Sequence, residues 1–157
     1  MFKASAIAIG VIMLTAIGAS VPAQDRTADK AAVETTFKEV VTAYAGGDFK
    51  KVASLYNDPF LSIGQGKVIT TPELEKWVQE VRATTMPKDY AVFKLTQFSS
   101  KPLGKDIVLL SYVGERLNKD GQIIEASAGT QLWKRTDKGW KFLTSVPHPP
   151  EDYTKLD

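Results

Sequence analysis

Apolar positions early in the chain recur at the spacing of one helical face. Val33, Phe37, Val40, Val41 and Tyr44 fall together, with Glu34, Lys38 and Glu39 opposite. The pattern predicts a helix from about residue 31, with Asp29 as its N-cap and Gly46-Gly47 as its stop. Asp48 then caps a short second helix carrying Phe49, Val52, Ala53, Leu55 and Tyr56. Asn57-Asp58-Pro59 ends it, because proline disfavours helical geometry in the residue before it. Short strands are predicted at 60–63 and 67–69, around Gly64-Gln65-Gly66, which is too short for a phosphate loop and reads as a turn. Thr71-Pro72-Glu73 opens a third helix: threonine caps it, proline fits the first turn, and the acid lies near the positive end of the dipole. Leu74, Trp77, Val78 and Val81 form its buried stripe, and Pro87 lies beyond its end.

After Pro87 the hydrophobic period changes from helical to two. Strands are predicted at 90–98, 106–117, 122–135 and 139–146. They are joined by Lys101-Pro102-Leu103-Gly104, by Asn118-Lys119-Asp120-Gly121 and by a tight Asp137-Lys138-Gly139 turn between Trp133 and Trp140. The tail from 147 holds Pro147, Pro149 and Pro150 and is not expected to continue a central strand. Helices first and sheet after is the α+β arrangement. The expected architecture is three N-terminal helices packed in the concavity of a strongly curled, mainly antiparallel sheet, a cone. Ala126-Ser127-Ala128-Gly129 supports the curl, since small residues within a strand allow a bend or leave room above the sheet.

Composition adds an address. Residues 1–23 carry Lys3, an apolar run from Ala4 to Ile17, and Val21-Pro22-Ala23 in the small-residue positions of a cleavage site. They read as a secretory signal cut ahead of Gln24. A membrane anchor is the other reading, but the run is shorter than the roughly 20 residues a spanning helix needs. The protein is thus expected to be exported, to the periplasm or the medium, with residues 24–157 as one domain and no membrane association after cleavage. The chain has 0 cysteines, which excludes disulfides, thiol catalysis and thiolate metal sites. A net charge of +2, with both signs interspersed, gives no footprint for nucleic acid or an anionic membrane. No metal set and no cofactor motif stands out.

With the helices and the hairpin in place, the chain resembles the nuclear transport factor 2-like superfamily, in its SnoaL-like and cystatin-like branches. Val41-Thr42-Ala43-Tyr44-Ala45-Gly46-Gly47-Asp48 with Leu55-Tyr56-Asn57-Asp58 resembles the helix-Gly-Asp-helix entrance of that family. Thr130-Gln131-Leu132-Trp133 and Gly139-Trp140-Lys141-Phe142 resemble its closing hairpin. The likeness implies the fold but not the function, because this scaffold hosts isomerases, cyclases, dehydratases, transport factors and simple binders. Its ketosteroid isomerases use a tyrosine and two carboxyl groups inside the cone. Matching the two motifs puts Val40 at the tyrosine, Gly64 at the base and Gln131 near the remaining acid. None of the three can move a proton, so that mechanism is not expected.

Other titratable groups are few. Asp58 is a candidate acid or base, and equally an Asx turn or helix terminator before Pro59. Glu115 and Glu125 lie on neighbouring predicted strands and read as solvated side chains partnered by Arg116. His148, the only histidine, is a candidate base or a residue of the rim; alone it cannot build a zinc site. Strand alternation puts Gln131 and Trp133 on one face. By the resemblance these face the concave side, with Trp140, Phe142 and Thr144. The expected ligand-binding residues are Tyr56, Trp77, Gln131, Trp133, Phe142 and Thr144, lining a hollow suited to a small, mostly apolar molecule. A cofactor-free isomerase, cyclase or hydrolase using Asp58 or His148, and a structural module with a filled cone, are the alternatives. On the outer face Ala126, Ala128, Thr130 and Leu132 form a small apolar patch. The resemblance implies pairing there, hence a homodimer.

Overall fold

The structure, a computed structural model, describes residues 26–156; the expected signal segment and its cleavage site lie outside them. Helix α1 spans Thr27–Gly46, and α2, Phe49–Leu55, follows directly. Strands β1, Tyr56–Ser62, and β2, Lys67–Ile69, precede α3, Thr71–Thr85. Four long strands complete the chain: β3 Val92–Gly104, β4 Ile107–Leu117, β5 Ile123–Thr136 and β6 Gly139–His148. The sheet order is β2-β1-β6-β5-β4-β3. Every neighbouring pair is antiparallel except β1 and β6, which run parallel. This is an α+β fold with three helices against one six-stranded, mainly antiparallel sheet.

The core lies between helices and sheet. Val33, Phe37 and Val40 of α1, Val52 of α2, and Leu74 and Val78 of α3 meet Val108, Leu110, Trp133, Trp140 and Phe142 of the sheet. Gly114 belongs to this layer for a steric reason: a Cβ there would fall within the Phe93 ring. Gly129 likewise lets the Tyr112 ring cross its strand, 3.2 Å from where a Cβ would stand.

Several boundaries differ from the sequence expectation. Helix α1 starts earlier than expected, with Arg26 at the N-cap. Asp29 sits in the first turn, where it accepts from Arg26 Nε at 2.8 Å and pairs with Arg135, tying α1 to the β5–β6 hairpin. Asn57-Asp58-Pro59 ends α2 but lies inside β1, with a cis Asp58–Pro59 peptide. The strand tolerates the proline because its pairing with β6 is interrupted between Tyr56 and Leu61. The segment 101–104 belongs to β3, an edge strand, where Pro102 costs no inner ladder bond. Strand β6 runs through Pro147 to His148, past its last partner on β1, so it is itself an edge there. The Thr71 cap shifts to Thr70, with Asp58 supplying the side-chain acceptor instead.

Candidate functional site

The strong curl expected of the sheet is not a feature of the fold, but between the helices and the sheet lies a hollow of about 290 Å³. Helix α1 contributes Val40, Val41 and Tyr44, and α3 contributes Trp77 and Val81. The β1 side supplies Tyr56, Phe60, Ser62, Ile63, Gly64 and Gln65. From the long strands come Phe93, Tyr112, Arg116, Ser127, Gln131, Phe142, Ser145 and Pro147, while Met86 and Tyr90 come from the segment between α3 and β3. No acid and no histidine lines it among the described residues. Val40, Gly64 and Gln131, the positions matched to isomerase catalysts, do line it.

Four of the six expected binding residues, Tyr56, Trp77, Gln131 and Phe142, border the hollow. The Trp77 indole donates to Gln65 Oε1 at 3.0 Å, fixing α3 against the turn after β1. Trp133 is elsewhere: it is 0% exposed, its ring 5.4 Å from that of Phe142. Its Nε1 donates to Gln131 Oε1 at 3.0 Å. An indole nitrogen can only donate, so this contact fixes which end of the amide is oxygen. The Gln131 NH2 group is then the end left for the hollow.

Thr144 is also away from the hollow, and a bulge is the reason. Trp133 pairs with Phe142 but Leu132 pairs with Thr144, so Leu143 is an extra residue in β6. One inserted residue reverses the alternation of everything after it. Ser145 and Pro147 therefore face inward, opposite Gln131 and Gly129. Thr144 instead donates to the Leu61 carbonyl at 2.6 Å and clasps β1 to β6.

The two titratable candidates have structural partners. Asp58 accepts from the Thr71 backbone N–H at 3.3 Å and from the Thr71 hydroxyl, anchoring the start of α3. His148 Nε2 lies 3.3 Å from Thr130 Oγ1, and Nδ1 lies 2.9 Å from the Pro149 carbonyl oxygen. Neither lines the hollow. Glu115 pairs with Lys94 at 3.0 Å, and Glu125 pairs with Arg116. Among the described residues no acids and histidines cluster as metal ligands would.

Tyrosines dominate the polar chemistry of the hollow. Burial pushes the Tyr44 and Tyr90 hydroxyls up to about 12, although Arg82 and Arg116 pull the other way. Burial also raises Tyr56 and Tyr112. All four therefore stay neutral and able to donate hydrogen bonds near neutral pH. Tyr44, Tyr90, Tyr112, Arg116 and Ser127 escaped the sequence reading as a group. The available signal was Tyr112-x-Gly114-x-Arg116, a period-two set on one face of β4.

The fold is shared with solved structures. A dehydratase candidate of the NTF2-like family from Streptomyces avermitilis is 20% identical, with a TM-score of 0.59 over 78% of this chain and 96% of that one. A protein of unknown function with a cystatin-like fold from Nostoc punctiforme PCC 73102 is 9% identical, with a TM-score of 0.63 over 79% and 94%. The association domain of C. elegans CaMKII is 13% identical, with a TM-score of 0.59 over 78% and 96%. At such identities the likeness is one of fold. No curated protein matches the chain significantly in sequence. A family model does match, that of the NTF2-like protein family DUF6841 over residues 29–150, and the chain belongs to this family.

Proposed function

We propose that this protein binds a small, mostly apolar molecule in the hollow between its helices and its sheet. The observation that carries the reading is the hollow itself: about 290 Å³, walled by aromatics, with the Gln131 amide nitrogen left to meet a ligand acceptor. That volume is at the lower end of the roughly 300–1,000 Å³ typical of ligand sites, which fits a one- or two-ring molecule. Native mass spectrometry of protein purified from its own cells tests it. A bound mass that disappears on denaturation is expected. Ser145→Trp should abolish it, because an indole facing inward opposite Gln131 would occupy the space. Retention of the bound mass by a folded Ser145→Trp variant contradicts the reading.

We also propose that the chain is exported by cleavage before Gln24, on the strength of Lys3, the apolar run and Val21-Pro22-Ala23. N-terminal sequencing of protein from the periplasm or medium should begin near Gln24; an intact Met1 in the membrane fraction overturns this. A second copy of the chain is the proposed partner of the outer sheet face, where Ala126 is exposed and Thr130 and Leu132 are half-buried; Ala128, expected in the same patch, is instead buried and borders the hollow. A fold relative named for association, the C. elegans CaMKII domain, supports it. Light scattering showing a monomer at every concentration counts against it.

A further inference from the structure

We propose that the ligand of the hollow carries a carboxylate, and that the donors gathered around Arg116 bind it. This rests on the small-molecule reading above and adds the ligand's charge. The Arg116 side chain is 15% exposed and borders the hollow. Ser127 Oγ accepts from its Nη2 at 2.9 Å, and Glu125 pairs with its Nη1. Glu125 is itself 44% exposed, so it compensates the guanidinium from the solvent side and incompletely. Two of the five guanidinium N–H donors have these partners, and the planar fork keeps the others in fixed directions.

A second, independent observation comes from the same end of the hollow. The Tyr44 hydroxyl is buried and has no hydrogen-bond partner among the described residues. A buried hydroxyl left unmatched is costly, and a carboxylate oxygen would accept from it. Tyr44 and Tyr90 have ring centroids 6.5 Å apart, and the Arg116 guanidinium lies 5.9 Å from the Tyr90 ring, so these groups bound one end of the space. A ketone or amide oxygen could also accept from Tyr44. What selects an anion is the guanidinium together with the absence of any acid among the lining residues. The aromatic remainder, with Phe60, Trp77 and Phe142, suits a ring on the other end of the molecule.

The test is calorimetric titration of the full mature chain with two probes of one shape, 2-naphthoic acid and 2-naphthamide, at neutral pH. The acid is expected to bind about tenfold more tightly, as charge-assisted bonds outweigh neutral ones. Arg116→Gln should weaken the acid about tenfold and the amide less, so that the two probes bind alike. Tyr44→Phe should weaken the acid several-fold while the melting temperature holds or rises, since it deletes a buried orphan. Equal affinity for both probes, or tighter binding of the amide, overturns the charge inference and leaves the small-molecule reading standing. Failure of both probes to bind overturns the two together.

Discussion

Gln131→Leu is the substitution whose consequence the structure fixes best. Trp133 is 0% exposed and Gln131 is 7% exposed, and the indole N–H has the glutamine oxygen at 3.0 Å as its partner. Leucine is close in volume, so packing changes little. It strands the indole N–H in a dry core, however, and an unsatisfied buried donor costs about 1–3 kcal/mol. Part of this is offset by the apolar burial of leucine, leaving about 1–2 kcal/mol of destabilisation, or a fall in Tm of roughly 4–8 °C. Trp133→Phe also loses stability, through the emptied volume. The double variant removes both partners, so the two losses should not add: a coupling of about 1 kcal/mol is expected in a double-mutant cycle. Urea unfolding of the four proteins measures it. If Gln131→Leu costs under about 0.5 kcal/mol and the coupling is zero, the bond does not hold the amide, and the reasoning that turns its NH2 toward a ligand fails.

Asp58→Ala should cost about 0.5–2 kcal/mol by uncapping α3, read by urea unfolding, with ligand affinity unchanged. His148→Ala should stay within about 0.5 kcal/mol and leave binding alone, since among the described residues the ring's hydrogen-bond contacts are to Thr130 and Pro149 and it does not line the hollow. Burial opposes ionisation of Asp29, yet Arg26 and Arg135 hold its carboxyl below the usual 3.8. Its contribution to stability is therefore present above pH 3.8 and lost as pH falls through the lower folded value. Asp29→Asn should flatten that acid limb in denaturation scans. Tyr44 and Tyr90 move the other way: from pH 10 the unfolded chain loses protons that the folded chain keeps until about 12. Stability should fall across that window, with tyrosinate absorbance of the folded protein lagging behind that of the unfolded chain.

The fold was legible because the periods were long and clean. Val33 to Tyr44 read as one helical face, and the Asp137 turn fixed the β5–β6 hairpin from sequence alone. Pairing choices were less visible. That Pro59 sits inside β1, and Pro102 inside β3, depends on which ladder bonds are missing, a property of neighbours rather than of the segment. The site suffered most from one residue. Strict alternation carried from Trp140 and Phe142 puts Thr144 inside, but the extra Leu143 hands that place to Ser145. Trp133 alternates correctly yet is not among the lining residues: it is fully buried, packed against Phe142 and bonded to Gln131, both of which do line the space. Tyr44 comes from α1, Tyr90 from the segment before β3, and Tyr112 and Arg116 from β4, and only packing brings them to one end.

Backbone amide, side-chain amide and indole N–H spectra of the isotopically labelled protein, recorded while 2-naphthoic acid is added, test the binding claim at the residue on which it rests. The account predicts saturable shifts of the Gln131 NH2 and Trp133 indole N–H resonances, with the Trp77 indole of α3 also moving and the backbone amides of Thr130 and Leu132 on the outer face unmoved. Shifts confined to Thr130, Leu132 and the tail, with Gln131 silent at saturation, would place the ligand outside the hollow and contradict it.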